Sequence, residues 1–189
     1  MDATVRLSKL ADAIAGSGAR VNDPFGIDAS FSDFSDVHVE KLAGWADLEM
    51  LHAMQTRLSD VSIPPICAFN RLFDLSISSD ALTEAAFDGA DLPPSLRFLG
   101  LNLPRLTSTA TSKIFQLGKL EHLHLGLTEI APDQLNTLAS IPSLQHLAAR
   151  NAQYSAVENQ ELSKRYPNVL MELSDGLWSN GTCRRKWNA

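Results

Sequence analysis

A period of 24 residues runs through nearly the whole chain and constrains its fold more than any other feature. Five leucines mark the starts of successive units: Leu48, Leu72, Leu96, Leu120 and Leu144. Each unit opens with an apolar template of the form LxxLxL, in which Ala or Ile replaces the last leucine in three units. The same offsets are apolar one unit earlier and one later, at Ile27, Ala29, Met171 and Leu173. In a chain with 44% hydrophobic residues, chance would make the fourteen sites at the third and fifth offsets all apolar about once in 10⁵ trials, or about once in 10³ after allowing for the choice of phase and period. The pattern therefore predicts a protein built from stacked repeats.

The template portion of each unit is expected to form a short strand. Residues at its third and fifth offsets are apolar and their neighbours are polar or small, as on a strand with two different faces. In the return half of each unit, apolar residues recur with a helical spacing, for example Leu135, Leu138 and Ile141. We therefore predict an α/β fold with a parallel sheet on one side and short helices and irregular turns on the other.

Helix start signals differ between units. Pro132-Asp133 and Ser79-Asp80 precede periodic apolar segments, and they predict helices there. The segment SIPPICAF contains Pro64 and Pro65, which disfavour a regular helix. An extended chain or a 3₁₀ turn is expected in that unit instead.

The two ends of the repeat array are expected to be covered, because terminal repeats would otherwise expose apolar surface. Residues 1–23 are predicted to form an N-terminal helical cap, since Leu7, Leu10 and Ile14 lie on one helical face and glycines follow them. Residues 24–175 are predicted to hold six units of 24 residues and a final strand. Residues 176–189 remain as a C-terminal tail.

Three strings carry a family resemblance: SLRFLGLNL, KLEHLHLGLTEI and SLQHLAARN. They resemble leucine-rich repeats, and the unit LEHLHLGLTEIAPDQLNTLASIPS is similar to the 24-residue bacterial type. The resemblance implies a solenoid in the form of a short horseshoe arc, with the parallel sheet on the concave face and the helices on the convex face. It also implies a binding module, because this family presents its concave sheet to protein, peptide or other partners.

Charge and hydropathy exclude some classes of partner. The net charge of -6 and the pI near 5.3 argue against a nucleic-acid binder, which usually has a basic domain or stripe. The basic cluster at Arg184, Arg185 and Lys186 lies beside Trp178 and Trp187. A solvated tail that packs its aromatic rings on the last repeat is favoured there over a nucleic-acid or membrane contact. No apolar stretch is long enough to span a membrane.

Location and oligomeric state are weakly constrained by the sequence. Two cysteines, Cys67 and Cys183, do not make a disulfide framework and are compatible with a reducing compartment. Polar residues such as Lys9 and Asp12 interrupt the apolar run that a signal peptide would need. We therefore expect a cytoplasmic protein, and a monomer.

The strand pattern also predicts which side chains face a partner. If the third and fifth offsets point into the core, the alternate positions point to the concave surface. Histidine, methionine, Phe98 and Arg150 are concentrated there, and aromatic residues, Met and Arg are enriched at binding interfaces. The residues predicted to contact the partner are Met50, His52, Asp74, Phe98, Asn102, His122, His124, His146 and Arg150.

These observations predict a protein-protein interaction module that binds a protein or peptide. The sequence has no Gly-rich phosphate loop, GxSxG elbow, HExxH or CxxC motif, so neither enzyme activity nor a cofactor is expected. If the partner is acidic, its affinity is expected to rise as the pH falls towards the ordinary histidine pKa of about 6.5.

The alternative is a metal-binding protein or metal-dependent hydrolase that uses histidines of the same face. His122 and His146 occupy the same offset on neighbouring strands, so their Cα atoms are expected about 5 Å apart. His124 lies two residues along its strand from His122. Three imidazoles could thus approach one metal ion, although a tetrahedral zinc site needs a further ligand.

Overall fold

The computed structural model describes residues 2–23 and 25–187 and divides the chain into two compact units, Met1–Leu96 and Arg97–Ala189. Residues 1, 24, 188 and 189, at the ends of the predicted cap, repeat and tail ranges, lie outside the described residues. Among the described residues, no helix has both the length and the apolar character needed to cross a bilayer.

The described residues of the first unit form four strands and three helices. The strands are β1 (Arg20–Asp23), β2 (Gly26–Asp28), β3 (Met50–Thr56) and β4 (Asp74–Ser79). The helices are α1 (Ala3–Ala13), α2 (Asp36–Lys41) and α3 (Ile63–Cys67), and a 3₁₀ turn at Asp60–Ser62 precedes α3. The strands lie in chain order, with β1 antiparallel to β2 and the pairs β2–β3 and β3–β4 parallel.

In the second unit, residues 97–187 form six strands and three helices. The strands are β5 (Phe98–Asn102), β6 (His122–His124), β7 (His146–Ala148), β8 (Leu170–Leu173), β9 (Gly176–Ser179) and β10 (Thr182–Lys186). The helices are α4 (Ser108–Phe115), α5 (Pro132–Ala139) and α6 (Ala156–Arg165). Strands β5 to β8 are parallel in chain order, and β8–β9 and β9–β10 are antiparallel.

The 24-residue period is the register of the parallel strands. Leu51 pairs with Leu75 in the first unit, and Leu99 aligns with Leu123, Leu147 and Met171 in the second. All of these side chains are fully buried. The prediction that the template marks parallel strands with one face in the core is confirmed, and so is the α/β class.

The sheet is mixed rather than purely parallel, which corrects the expected architecture. The tail expected after residue 175 contains β9 and β10, joined by a two-residue turn at Asn180 and Gly181. Both turn residues have positive φ, 47° and 72°, which is the backbone of a tight hairpin and is typical of an Asn-Gly pair. The hairpin pairs with β8, where Trp178 lies opposite Met171.

Two helix predictions are wrong. No helix follows Ser79-Asp80 in the described structure, where turns connect β4 to β5. Gly89 and the Pro93-Pro94 pair follow the predicted segment and prevent a helix from extending beyond it. Conversely, Pro64 and Pro65 lie in the first turn of α3. Their missing N–H groups cost nothing there, because the first turn of a helix needs no backbone donors.

In the first unit, aspartate side chains form hydrogen bonds between successive segments on the side of the repeat away from the strands. Asp36, at the start of α2, accepts hydrogen bonds from the backbone N–H of Ser59 (2.9 Å) and from the hydroxyls of Ser59 and Ser62. Asp60, in the next repeat, accepts from the N–H and hydroxyl of Thr83 at 2.9 and 2.5 Å. Each carboxylate thus satisfies polar groups one repeat further along the chain.

Candidate functional site

Strand register places three predicted contact residues in one row of the second unit. Phe98, His122 and His146 are aligned across β5, β6 and β7. They alternate with the buried leucines of the same strands and therefore point away from the core. The ring centres of Phe98 and His122 lie 6.0 Å apart, and the two rings are stacked. The ring centres of His122 and His146 are also 6.0 Å apart, but these rings meet edge to face.

His124 connects this row to a second row on the same face. It is aligned with Gly100, Ala148 and Glu172 across β5 to β8. The centre of its ring lies 4.7 Å from that of Phe98 and 4.9 Å from that of His146, both edge to face. We call the set Phe98, His122, His124, His146 and Arg150 the histidine face.

Two of these imidazoles are in direct polar contact. Nε2 of His124 lies 3.1 Å from Nδ1 of His146, and the enclosed Nε2 of His146 lies 3.3 Å from Oε1 of Glu172 without the alignment of a hydrogen bond. A proton on Nε2 of His146 is attracted to that carboxylate, whereas a lone pair there would be repelled. We therefore assign the Nε2–H tautomer to His146, so that its Nδ1 accepts a hydrogen bond from Nε2–H of His124.

This assignment limits how the pair takes up protons. A first extra proton can bind the other ring nitrogen of His124 and leave the contact intact. A second proton, on Nδ1 of His146, would place two N–H groups opposite each other at 3.1 Å. The contact therefore tolerates one imidazolium and is broken by two.

Arg150 is fixed between a carboxylate and an indole. Its Nε donates to Oε2 of Glu172 at 2.9 Å, and its Nη2 donates to the same oxygen. The guanidinium carbon lies 4.5 Å from the ring centre of Trp187, a cation–π contact. Trp187 follows β10 and donates from Nε1 to the carbonyl oxygen of Leu173 at 2.7 Å. The C-terminal segment thus supports the histidine face from one side.

Burial and the Arg150–Glu172 pair determine the charge of the site. Burial lowers the pKa of His124 below its ordinary value of 6.5, and the neighbouring histidines add to this effect while Glu172 opposes it. Burial also lowers the pKa of His146, again against the effect of Glu172. At Glu172 burial raises the pKa, but the hydrogen bonds and charge of Arg150 outweigh it and the pKa lies below 4.5. At neutral pH the two imidazoles are therefore uncharged and the Glu172 carboxylate is ionised beside Arg150.

A cleft of about 470 Å³ lies beside these groups. Its lining consists of His124, Gly126, Leu127, Ala148, Arg150 and Glu172. The cleft therefore adjoins His124 and the Arg150–Glu172 ion pair together.

Leu127 is held at the edge of this cleft with 74% of its surface exposed. Its backbone N–H donates to Oδ1 of Asn102 at 2.6 Å, and its carbonyl oxygen accepts from Nδ2 of Asn151 at 2.8 Å. Asn102, which the sequence predicts as a partner contact, thus uses its amide oxygen within the chain. Its role in the structure is to fix the turn that presents Leu127.

The remaining predicted contacts lie in the first unit and form a different cluster. Met50 and Asp74 are aligned on β3 and β4, and Nε2 of His52 lies 3.0 Å from Oδ1 of Asp74. The hydrogen bond to Asp74 raises the pKa of His52 above 6.5, against the effect of burial, and the charges of Asp74 and Asp28 add to the rise. This cluster favours a protonated His52, whereas burial favours neutral His124 and His146.

The described residues contain no set of side chains that could act as the ligands of the predicted metal site. Among residues 2–23 and 25–187, no three His, Cys, Asp or Glu side chains are grouped so that they could hold a metal ion. Nε2 of His124 and Nδ1 of His146 face each other, and the ring of His122 contacts the ring of His146 edge to face. The spacing that suggested three converging imidazoles therefore produces a stack of rings.

Sequence reasoning found part of this site and missed the rest. The structure brings together five of the predicted residues as the histidine face. Alternation places Glu172, two repeats after His124 at the same template offset, on the predicted concave face, and the tail was expected to pack Trp187 on the last repeat, but neither was predicted as a contact residue. Leu127 was not predicted. The position of Leu127 depends on a turn held by two asparagines and that of Trp187 on the hairpin, and neither follows from the repeat pattern.

Comparison with known proteins adds no family assignment. The sequence matches no protein-family model, and no curated protein gives a significant match. The function is therefore inferred from the residues and their geometry.

Proposed function

We propose that this protein is a leucine-rich repeat module that binds a protein or peptide partner through the histidine face. In this proposal the 24-residue units of residues 24–175 form the solenoid with the face on its concave side. Residues 1–23 act as the cap, to which α1 contributes, and residues 176–189 complete the last repeat. The protein acts in the cytoplasm by recognition rather than by catalysis.

One observation carries the proposal: interlocked aromatic rings lie on the side of the sheet opposite the core. Phe98, His122, His124 and His146 contact one another at centre distances of 4.7 to 6.0 Å. Because each ring is restrained by its neighbours, little side-chain entropy remains to be lost on binding. Preorganised aromatic surfaces with an adjacent arginine have the composition of binding hot spots.

The charge of the face favours an uncharged, apolar or aromatic segment of the partner. Burial keeps His124 and His146 neutral at pH 7 through their lowered pKa values, and Arg150 is paired with Glu172. Leu127 adds apolar surface at the edge of the cleft. The pH dependence expected for an acidic partner moves below pH 6.5 on this face, because protonation of these two histidines occurs there.

Site-specific photo-crosslinking tests the proposal. Benzoylphenylalanine replaces Phe98 in one variant and Phe115 in the other, where Phe115 is an exposed phenylalanine on α4. Both variants are irradiated in extract of the native cells, and the products are identified by mass spectrometry. We expect a discrete adduct from position 98 that position 115 does not give. Identical adducts from both positions, or none from position 98, would reject the histidine face as the binding site.

A further inference from the structure

Phe31 is the most exposed large apolar side chain in the described part of the chain, with 77% of its surface accessible. Its φ is 58°, in the left-handed region that bulky residues rarely adopt. Glycine would occupy this position without strain, and a polar side chain would be better solvated. Both the exposure and the backbone conformation are therefore unfavourable for the isolated chain, and they indicate a function.

The loop that carries Phe31 is held rigidly. The backbone N–H of Phe31 donates to the carbonyl oxygen of Met54 at 2.8 Å. The backbone N–H of Asp33 donates to the carbonyl oxygen of Ser17, also at 2.8 Å. The hydroxyl of Ser32 donates to the carbonyl oxygen of Ala29 at 2.6 Å. The ring is thus presented on a fixed backbone, which is how an anchor residue reduces the entropy cost of association.

A hollow and a pair of opposite charges lie beside the ring. The hollow has a volume of about 610 Å³, and its lining includes Ser17, Phe31, Asp33 and Arg57. Asp33 and Arg57 form an ion pair of 2.8 Å whose side chains are 65% and 71% exposed. An ion pair this exposed contributes little to stability, so its members can exchange partners at low cost.

We propose that this patch binds a second copy of the chain in a two-fold dimer. A two-fold interface brings identical patches together, so the patch must complement itself. This one contains both a projecting ring and a hollow, and both an anion and a cation. In the dimer, Phe31 of each copy enters the hollow of the other, where the Arg57 guanidinium can lie over the ring. Asp33 of each copy pairs with Arg57 of the other.

Self-complementarity distinguishes this occupant from others. A nucleic acid would need a positive surface, and here Asp33 cancels Arg57. Binding of an unrelated protein would explain the exposed ring of Phe31. It would not require a negative and a positive side chain to lie together beside that ring. A dimer replaces the monomer expected from the sequence. Its interface shares no residue with the histidine face, since every residue of the patch precedes residue 58.

A charge exchange tests the proposal with the full chain alone. Sedimentation velocity is measured over a concentration series for the wild type, Asp33→Arg, Arg57→Asp and an equimolar mixture of the two variants. We expect the wild type to dimerise and each variant to remain monomeric, because like charges then meet twice. The mixture is expected to dimerise, since each copy supplies the charge that its partner needs. A monomeric wild type, variants that dimerise like the wild type, or a monomeric mixture of folded variants would overturn the proposal.

Phe31→Gly separates the anchor from the fold. Glycine relieves the positive φ, so we expect loss of the dimer together with a higher unfolding temperature than the wild type when both are compared at a concentration where the wild type is monomeric. Val61→Ala is the matched control, because Val61 is also an exposed apolar side chain of the first unit but lies outside the hollow. The control is expected to dimerise normally. Retention of the dimer by Phe31→Gly would contradict the assignment of Phe31 as its anchor.

Discussion

Two leucines four positions apart, Leu123 and Leu127, have opposite environments. Leu123 is fully buried in β6, and Leu127 is mostly exposed at the edge of the cleft. We expect Leu123→Ala to lower the free energy of unfolding by about 2–5 kcal/mol, because it leaves a cavity. Leu127→Ala should change it by less than about 0.5 kcal/mol but weaken partner binding. Urea denaturation and a binding assay separate the two effects, and a large loss of stability in Leu127→Ala would show that its side chain has a packing role.

Protonation of His124 and His146 should destabilise the fold. Their pKa values are lower in the folded chain than the ordinary 6.5, so the unfolded chain binds more protons as the pH falls below 6.5. Stability therefore rises with pH through this window and is lost as the pH falls through the folded pKa values. Urea denaturation at pH 7.5 and pH 5.5 measures the loss.

The control for this prediction is the double variant His124→Gln, His146→Gln. It lacks both titrating groups but keeps His52, whose raised pKa has the opposite effect on stability and is common to both proteins. We expect the variant to lose less stability than the wild type between the two pH values. Equal losses would mean that the two imidazoles do not titrate below their ordinary pKa.

At the scale of elements, carboxylates that connect neighbouring repeats should stabilise the first unit to different degrees. Asp36 accepts three hydrogen bonds, one of them from Ser62, which is almost fully buried. We expect Asp36→Ala to cost about 1–3 kcal/mol, because buried donors lose their acceptor. Asp60→Ala removes two exposed hydrogen bonds, from the N–H and the hydroxyl of Thr83, and should lower the free energy of unfolding by about 0.5–1 kcal/mol. Thermal or urea unfolding of both variants gives the comparison, and equal costs would contradict it.

Strands, helices and the hairpin differed in how well the sequence predicted them, because the residues that specify each element are local to different degrees. Strands were predictable because each template site is fixed by burial, as at Leu99 and Leu147. Helices were less predictable, because proline restricts a helix interior but suits its first turn, and the pattern does not say where the helix begins at Pro64. The hairpin had a local signal, Asn180-Gly181, that the repeat pattern obscured.

At the scale of the whole molecule, the repeat fixes which residues share a row but not how they interact. Alternation alone predicted that Phe98, His122 and His146 lie on one face, and the register of β5 to β7 shows this. The imidazole contact, the neutral state of the rings and the partner of Arg150 depend on rotamers and burial. Those properties arise from three-dimensional packing between strands, so no spacing in the sequence encodes them.

Binding affinity tests the central claim most directly. The partner identified by crosslinking is purified, and its dissociation constant is measured by titration calorimetry at pH 7.5 for wild type, Phe98→Ala with His122→Ala, and Phe115→Ala. Loss of the aromatic row should weaken binding at least about tenfold, as expected for hot-spot residues, while Phe115→Ala binds like the wild type. A folded double variant that binds with unchanged affinity would contradict the assignment of the histidine face.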